Sequence, residues 1–478
     1  MNSKFSVFIL LLLTSLTSFS QAKQWTLLEC VEYAMKNNIS IRQTELDLKT
    51  VDIDKKAALG NFLPNLNANA SHSWNIGLNQ NITTGLLENQ TTQFTSAGIN
   101  SSVDIYNGLQ NQNRYRRANI SKIASQYQLD KMKDDISLNV ANAYLQILFN
   151  KESIKVQKEQ LSNTEKQEIR TTELVNAGMI PRGDLLDIKA TVAADKQRLI
   201  AAENALFLSK LSLTQLMQLD DFKDFDVVEE NVTLEESVVM LQTPEAIIEK
   251  AKQERVELKI AKTNLELAQK DIQIAKGAFQ PTLSGFYNFS TRASYSDRVV
   301  GFQIDPANPT SVIGQVDGTG QNVLQPNFSP VLGDPDSLFN QFSDNKGHNF
   351  GVQLTVPIFN GFAAKNNVER SKVAFERSKI AQEQAEVDLE RNVYNAVTDA
   401  KGALNSYQSA VVALTAREEA FNYAKERYAV GMMNSFDFNQ AQTLFLNAQS
   451  EVLRTKYDYI FKQKVVEFYF GIPLKQKI

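Results

Sequence analysis

The sequence predicts a mainly α-helical chain with a smaller β component, written as two copies of one plan. Three observations carry this. Landmarks recur: Gly60-Asn61-Phe62-Leu63-Pro64-Asn65-Leu66 matches Gly277-Ala278-Phe279-Gln280-Pro281-Thr282-Leu283, an offset of 217 residues. Gly98 through Asn107-Gly108 matches Gly351 through Asn360-Gly361 at an offset of 253, and Gly178-Met179 with Asp184 keeps that offset against Gly431-Met432 with Asp437. A repeat of this length marks duplicated architecture. The other two observations are a very long Pro-free helical stretch in each copy and four segments of two-residue alternation.

In chain order, Lys4, the apolar run Val7 to Leu13 and the small residues Ser18, Ser20 and Ala22 read as a secretory signal peptide over 1–22. The first repeat then spans 23–243 and the second 244–478. Each opens with a helical stretch rich in Ala, Leu, Glu, Lys and Gln, about 26–60 and 244–277. Each stretch stops at a Gly followed by Phe-x-Pro. Strands follow. In 65–76, Leu66, Ala68, Ala70, His72, Trp74 and Ile76 alternate with Asn and Ser. Segments 97–106, 283–289 and 350–358 alternate likewise, so each has one apolar face. The change of offset places 36 extra residues in the second copy, within about 290–350. That stretch is rich in Gly, Pro, Asn and Asp and reads as a long loop. Its Gly318-Thr319-Gly320 has no following Lys-Ser/Thr and is not a phosphate loop.

After Gly108 and Gly361 the long helices run to about 177 and 430, roughly 105 Å each if straight. Val140, Ile147, Ile154 and Leu161 fall seven apart, as do Val393, Ala400, Tyr407, Leu414, Phe421 and Tyr428, with Val397, Leu404 and Val411 as a second seam. This is coiled-coil spacing, and it suits a solid or a hollow bundle equally. Short turns at 178–183 and 431–436 lead into second helices, about 184–217 and 437–470. Residues 218–243 form an acidic linker, and 471–478 a tail.

Composition removes several function classes. Lys+Arg 50 against Asp+Glu 54 gives a net charge of −4, which offers no basic excess for nucleic acid. One Cys and two His leave little for metal or His-based catalysis, and no Gly-x-Ser-x-Gly occurs, so an outer-membrane hydrolase has no visible nucleophile. No later apolar run is long enough for a membrane helix. An exported chain with one-faced strands and aromatics at several strand ends (Trp74, Tyr106, Tyr287, Phe289, Phe359) fits a membrane β-barrel. Four strands do not close a barrel alone, so this reading requires oligomers.

On these features, with Ala177-Gly178-Met179 before Asp184-Leu185-Leu186-Asp187 and Tyr428-Ala429-Val430-Gly431-Met432 before Asp437-Phe438-Asn439-Gln440, the sequence resembles the TolC family of outer-membrane efflux and secretion channels. The resemblance implies a homotrimer: a 12-stranded outer-membrane β-barrel, four strands per protomer, continued by a long periplasmic α-helical barrel. It implies a passive duct without cofactor or catalysis, located in the outer membrane and reaching into the periplasm. Partners would be outer-membrane lipid, a periplasmic adaptor (membrane fusion) protein and an inner-membrane RND or ABC-type pump, in a tripartite efflux or type I secretion system.

Carried over residue by residue, Ala177, Gly178, Met179, Val430, Gly431 and Met432 would dock the adaptor, and Asp184, Asp187, Asp437 and Tyr428 would form the pore gate. A Tyr428–Asp184 hydrogen bond would latch it. The paired Asp-x-x-Asp lies in the first turn here, and Met433 stands where the family pattern often has a basic residue. Two plainer readings stand beside these: the Gly turns as helix C-caps, and the Asp residues as N-terminal dipole partners. A periplasm-spanning coiled-coil protein without a pore is the alternative for the whole chain.

Overall fold

The computed structural model describes residues 23–472 except 82, 84, 221, 223 and 230–236. The expected signal peptide, part of the linker and most of the tail lie outside the described residues. In chain order the elements are β1 (Gln24–Trp25), α1 (Leu27–Asn37), α2 (Ile39–Gly60), β2 (Asn65–Gln80), β3 (Leu87–Asn107), α3 (Gln110–Asn176), α4 (Arg182–Met217), β4 (Asp226–Val227), α5 (Pro244–Glu254), α6 (Val256–Gly277), β5 (Thr282–Ser294), β6 (Arg298–Ile304), β7 (Thr310–Gln315), β8 (Asn322–Pro326), β9 (Phe328–Gly333), α7 (Leu338–Asp344), β10 (Gly347–Thr355), α8 (Ala363–Ala429) and α9 (Ser435–Phe470). Both long helices have 67 residues and both return helices 36, so the duplication survives in three dimensions.

Each opening helical stretch is divided once. Asn38 and Arg255, 217 residues apart, take extended backbone and break it. Asn38 uses its side chain as an N-cap, accepting from the Ser40 and Ile41 amides. Arg255 is buried with its guanidinium 3.8 Å from the Phe468 ring centroid.

The chain forms two compact units. The helical unit comprises residues up to Ile53, Asn119–Ala268 and Val373 onward. Its two apolar cores are copies of one another. Val31, Ala34, Val140, Tyr144, Ile147 and Leu213 fill one; Ile248, Ala251, Val393, Val397, Ala400 and Val466 fill the other at equivalent positions. Of the heptad residues, Val140, Ile147, Val393, Val397 and Ala400 are therefore core, each large one contributing ~1.5–3 kcal/mol by burial, whereas Leu161, Leu404, Tyr407, Leu414, Phe421 and Tyr428 are half-buried and Val411 is exposed. The linker is anchored here: β4 pairs parallel with β1. Lys151, nearly buried, reaches the Asp226 carboxylate at 2.8 Å and donates to the Val227 carbonyl at 2.9 Å.

The strand unit comprises Asp54–Ala118 and Gln269–Lys372. Its antiparallel sheet has the order β10-β5-β3-β2, so the two hairpins are joined through β3 and β5. Leu66, Ala68, Ile99, Val103, Leu283, Tyr287, Phe350, Val352 and Leu354 share one face by register, and that face is exposed. On the other, Asn67, Asn100, Asn288 and Asn349 stand in one row. The 290–350 region corrects the loop expectation. It holds antiparallel pairs β6-β9 and β7-β8 and the short α7, and His348 lies in β10. Gly318 and Gly320 sit at the β7-β8 turn with positive φ. Gly, Pro and Asn punctuate this stretch at turns between strands too short for alternation to show.

Burial pushes the Asp226 carboxyl up, but hydrogen bonds from Lys151 and Lys210 outweigh it and hold it below the ordinary value. A carboxyl depressed by folding contributes stability at neutral pH that is lost as pH falls below about 4. Lys151→Met is expected to destabilise by ~1–2 kcal/mol at pH 7, with the difference shrinking at pH 3, read by denaturant melts. Burial likewise raises the Cys30 thiol to about 12. Cys30 is expected to stay unlabelled by maleimide until the chain is unfolded.

Candidate functional site at the two helical turns

All ten predicted site residues lie in the helical unit, at the ends of α3/α4 and α8/α9. The two turns are built alike. Gly178 and Gly431 have φ of 71° and 77°, in the left-handed region. Around Gly178, its amide donates to the Val175 carbonyl at 3.0 Å and the Met179 amide to Leu174 at 2.9 Å. Around Gly431 the same bonds run to Tyr428 (3.2 Å) and, from Met432, to Arg427 (2.9 Å). This double bond pattern with Gly in the left-handed conformation is the Schellman termination of a helix. The C-cap reading is thus correct locally, and it also explains what the turns display. Met179, Val430 and Met432 are 72%, 70% and 67% exposed, with Ala177 beside them on the surface. Leu186 and Phe436 extend the exposed apolar set, and sequence reading missed Phe436.

The carboxylates divide by role. Asp437 reciprocates with Asn434: its amide donates to Asn434 Oδ1 at 2.8 Å, and Asn434 Nδ2 donates to its carboxylate at 2.9 Å. It therefore completes a cap of α9. Asp184 occupies the equivalent position of α4, but Pro181 supplies no side-chain cap there. Its carboxylate instead accepts from the Ser435 hydroxyl at 2.9 Å, joining the two turns. Asp187 is exposed.

Within the chain the hydroxyl that Asp184 takes is that of Ser435, and Tyr428 is engaged by a ring instead. Tyr428 stacks on Phe438, with centroids 4.6 Å apart and planes at 17°. Phe421 stacks on Phe445 at 5.3 Å and 6°. Phe421 and Tyr428 on α8 face Phe438 and Phe445 on α9, seven residues apart on each helix. That spacing was the available signal for Phe438 and Phe445. Glu168, Val175, Leu185 and Val192 hold the corresponding places in the first copy, so the stack belongs to the second turn alone.

A duplicated chain with paired long helical hairpins, apolar turns and a sheet greasy on one face defines a class of protein that couples a one-faced sheet to long helical hairpins. The particular family is the outer membrane efflux protein family, which matches residues 31–218 and 247–466; this chain belongs to it, and its place is the outer membrane, extending into the periplasm. Outer membrane protein TolC of Escherichia coli (strain K12) is 21% identical over 99% of this chain and 87% of its own. TolC of Vibrio cholerae is 24% identical over 80% and 78%. Among solved structures, the Campylobacter jejuni CmeC outer membrane channel has a TM-score of 0.75 at 18% identity, covering 93% of this chain and 85% of that one. The outer membrane protein VceC of Vibrio cholerae has 0.70 at 15%, covering 93% and 96%.

Replacing Gly431 with Arg is expected to strain the left-handed turn by ~1 kcal/mol, leave assembly intact, and abolish export. Native-gel mobility and a drug-susceptibility assay would check the two halves of that expectation. Phe438→Ala, which removes a buried ring, should cost ~3–5 kcal/mol.

Proposed function

We propose that three copies of this chain form a passive exit duct, fed by an inner-membrane RND or ABC-type pump through a periplasmic adaptor. The observation that carries this reading is the four-stranded sheet with two free edges and an exposed apolar face. In lipid every edge N–H and C=O needs a partner, and closure into a ring satisfies them all. Three sheets give twelve strands, with the apolar face outward and the asparagine row lining the water path. Twelve carboxamides in one belt donate and accept hydrogen bonds without fixing a charge, which suits a conduit that must release its cargo. TolC relatives and the CmeC channel support the assembly.

The helical turns fit the two remaining parts of the duct. Exposed Met179, Val430 and Met432 offer adaptable apolar contact, and the adjacent glycines leave the backbone open to close approach by an adaptor. Asp184, Asp187 and Asp437 from three copies bring nine carboxylates toward one axis, a ring that favours cations and resists close approach of the tips. No protein group is asked to do chemistry; the pump supplies the energy.

Planar-bilayer recording tests the duct. Changing Asp184, Asp187 and Asp437 together to Ala should raise single-channel conductance and lower the cation-to-anion permeability ratio. Conductance without either change would remove the gate assignment. A wild-type protein that conducts nothing would favour the pore-free coiled-coil alternative.

A further inference from the structure

The β2-β3 register places Asn69 opposite Gly98 and Asn65 opposite Ser102. Moved by 217 and 253 residues, these pairs become Phe286 opposite Gly351 and Thr282 opposite Thr355, the observed partners in β5-β10. The two hairpins therefore superpose residue for residue. The junction between copies, β3 on β5, has a counterpart that a single chain does not make: β10 on β2, its two free edges.

Three contacts hold the junction within the chain. Arg117 Nε donates to Asp271 Oδ1 at 2.6 Å and Nη2 to Oδ2 at 3.3 Å, a two-pronged ion pair between α3 and α6. Gly108 and Gly277 are buried against each other, so closely that a Cβ built on Gly108 would lie 2.2 Å from the Gly277 carbonyl oxygen. Tyr106 donates to the Gln280 side chain.

Their counterparts are Arg370 with Asp54, Gly361 with Gly60, and Phe359 with Leu63. Among the described residues neither Asp54 nor Arg370 takes part in an ion pair, and both are exposed. Nothing lies within 4 Å of a Cβ built on Gly60 or Gly361. Phe359 and Leu63 are 75% and 65% exposed. The charge pair and the glycine pair are thus repeated in kind. The polar Tyr–Gln contact is replaced on both sides at once by an apolar pair. Unpaired groups with the chemistry of a contact already made once mark a surface awaiting an identical neighbour.

The geometry points to a subunit interface in which Arg370 of one copy grips Asp54 of the next as Arg117 grips Asp271. Gly361 packs on Gly60, and β10 pairs with β2 so that Gln353 lies opposite Ser71. This assignment rests on the trimeric duct reading and gives it residues and register. The register keeps the faces matched: Val352 meets His72 and Val356 meets Ala68 on the apolar side, while Gln353 meets Ser71 on the polar side. A slip by one residue would mix them.

Cysteine pairing and charge exchange test it on the full chain in outer membranes. Cys30 is fully buried, so only introduced thiols report. Ser71→Cys with Gln353→Cys should give covalent trimers on mild oxidation. Asn67→Cys with Gln353→Cys, displaced by about 13 Å along the strand, should give none. Asp54→Arg or Arg370→Asp alone should lower trimer yield at least tenfold in detergent, and the double exchange should restore it. Trimers that form without the predicted cross-link, or single exchanges that the double variant does not rescue, overturn this interface while leaving the duct standing. A monomeric wild-type protein in native detergent overturns both.

Discussion

The backbone hydrogen bonds at the edges of a four-stranded sheet constrain the rest of this molecule. Among the described residues, β2 and β10 each present an edge with no strand paired to it. In water such an edge invites aggregation, and in hydrocarbon each orphan group costs several kcal/mol. A sheet with one apolar face and two open edges is therefore half of a solution. The duplication supplies the other half, because the chain already contains a worked example of how one copy's outer strand meets the next copy's inner one.

The helical unit obeys a related logic. Its two cores are built largely from equivalent residues at preserved spacing, and each takes one residue from the other copy, Ile460 in the first and Val239 in the second. Departures from equivalence concentrate at the turns. The second turn acquires an aromatic stack, with Phe438 buried under Tyr428, while the first has Glu168 and the aliphatic Val175, Leu185 and Val192 in those places. Asp437 is committed to its own cap, and Asp184 is free to reach across to Ser435. One plan, written twice, thus gives two turns of different chemistry, joined by the Asp184–Ser435 bond. The inserted β6–β9 ribbon is a further asymmetry, carried on the strand unit without disturbing the register of β5 and β10.

Polarity is partitioned by the same economy of pattern. Asparagine and serine predominate on one side of the sheet, where Phe286 is an exception, and aliphatic or aromatic groups on the other, where Ser101 is one, at the two-residue period that a strand enforces. Apart from Lys464–Glu467 within α9, ion pairs with low exposure occur around the linker, at Lys151 and Asp226, and around Arg255. There they fasten irregular backbone to helices, which is where a chain without disulfides most needs fixed points.

The amino-acid sequence by itself determined the duplication, the helix and strand order, the one-faced strands and the positions of the turns. Period and punctuation are local properties, and Gly178, Gly431, Pro64 and Pro281 act on the backbone wherever they stand. Tertiary structure alone decided the rest. It broke the opening helices at Asn38 and Arg255, turned the Gly- and Pro-rich insert into short strands, and gave Asp184 the hydroxyl of Ser435. It also paired Arg117 with Asp271 and left Arg370 and Asp54 apart. Each of these depends on which residues distant in the chain arrive within a few ångströms of one another, and no periodicity along a single segment encodes that.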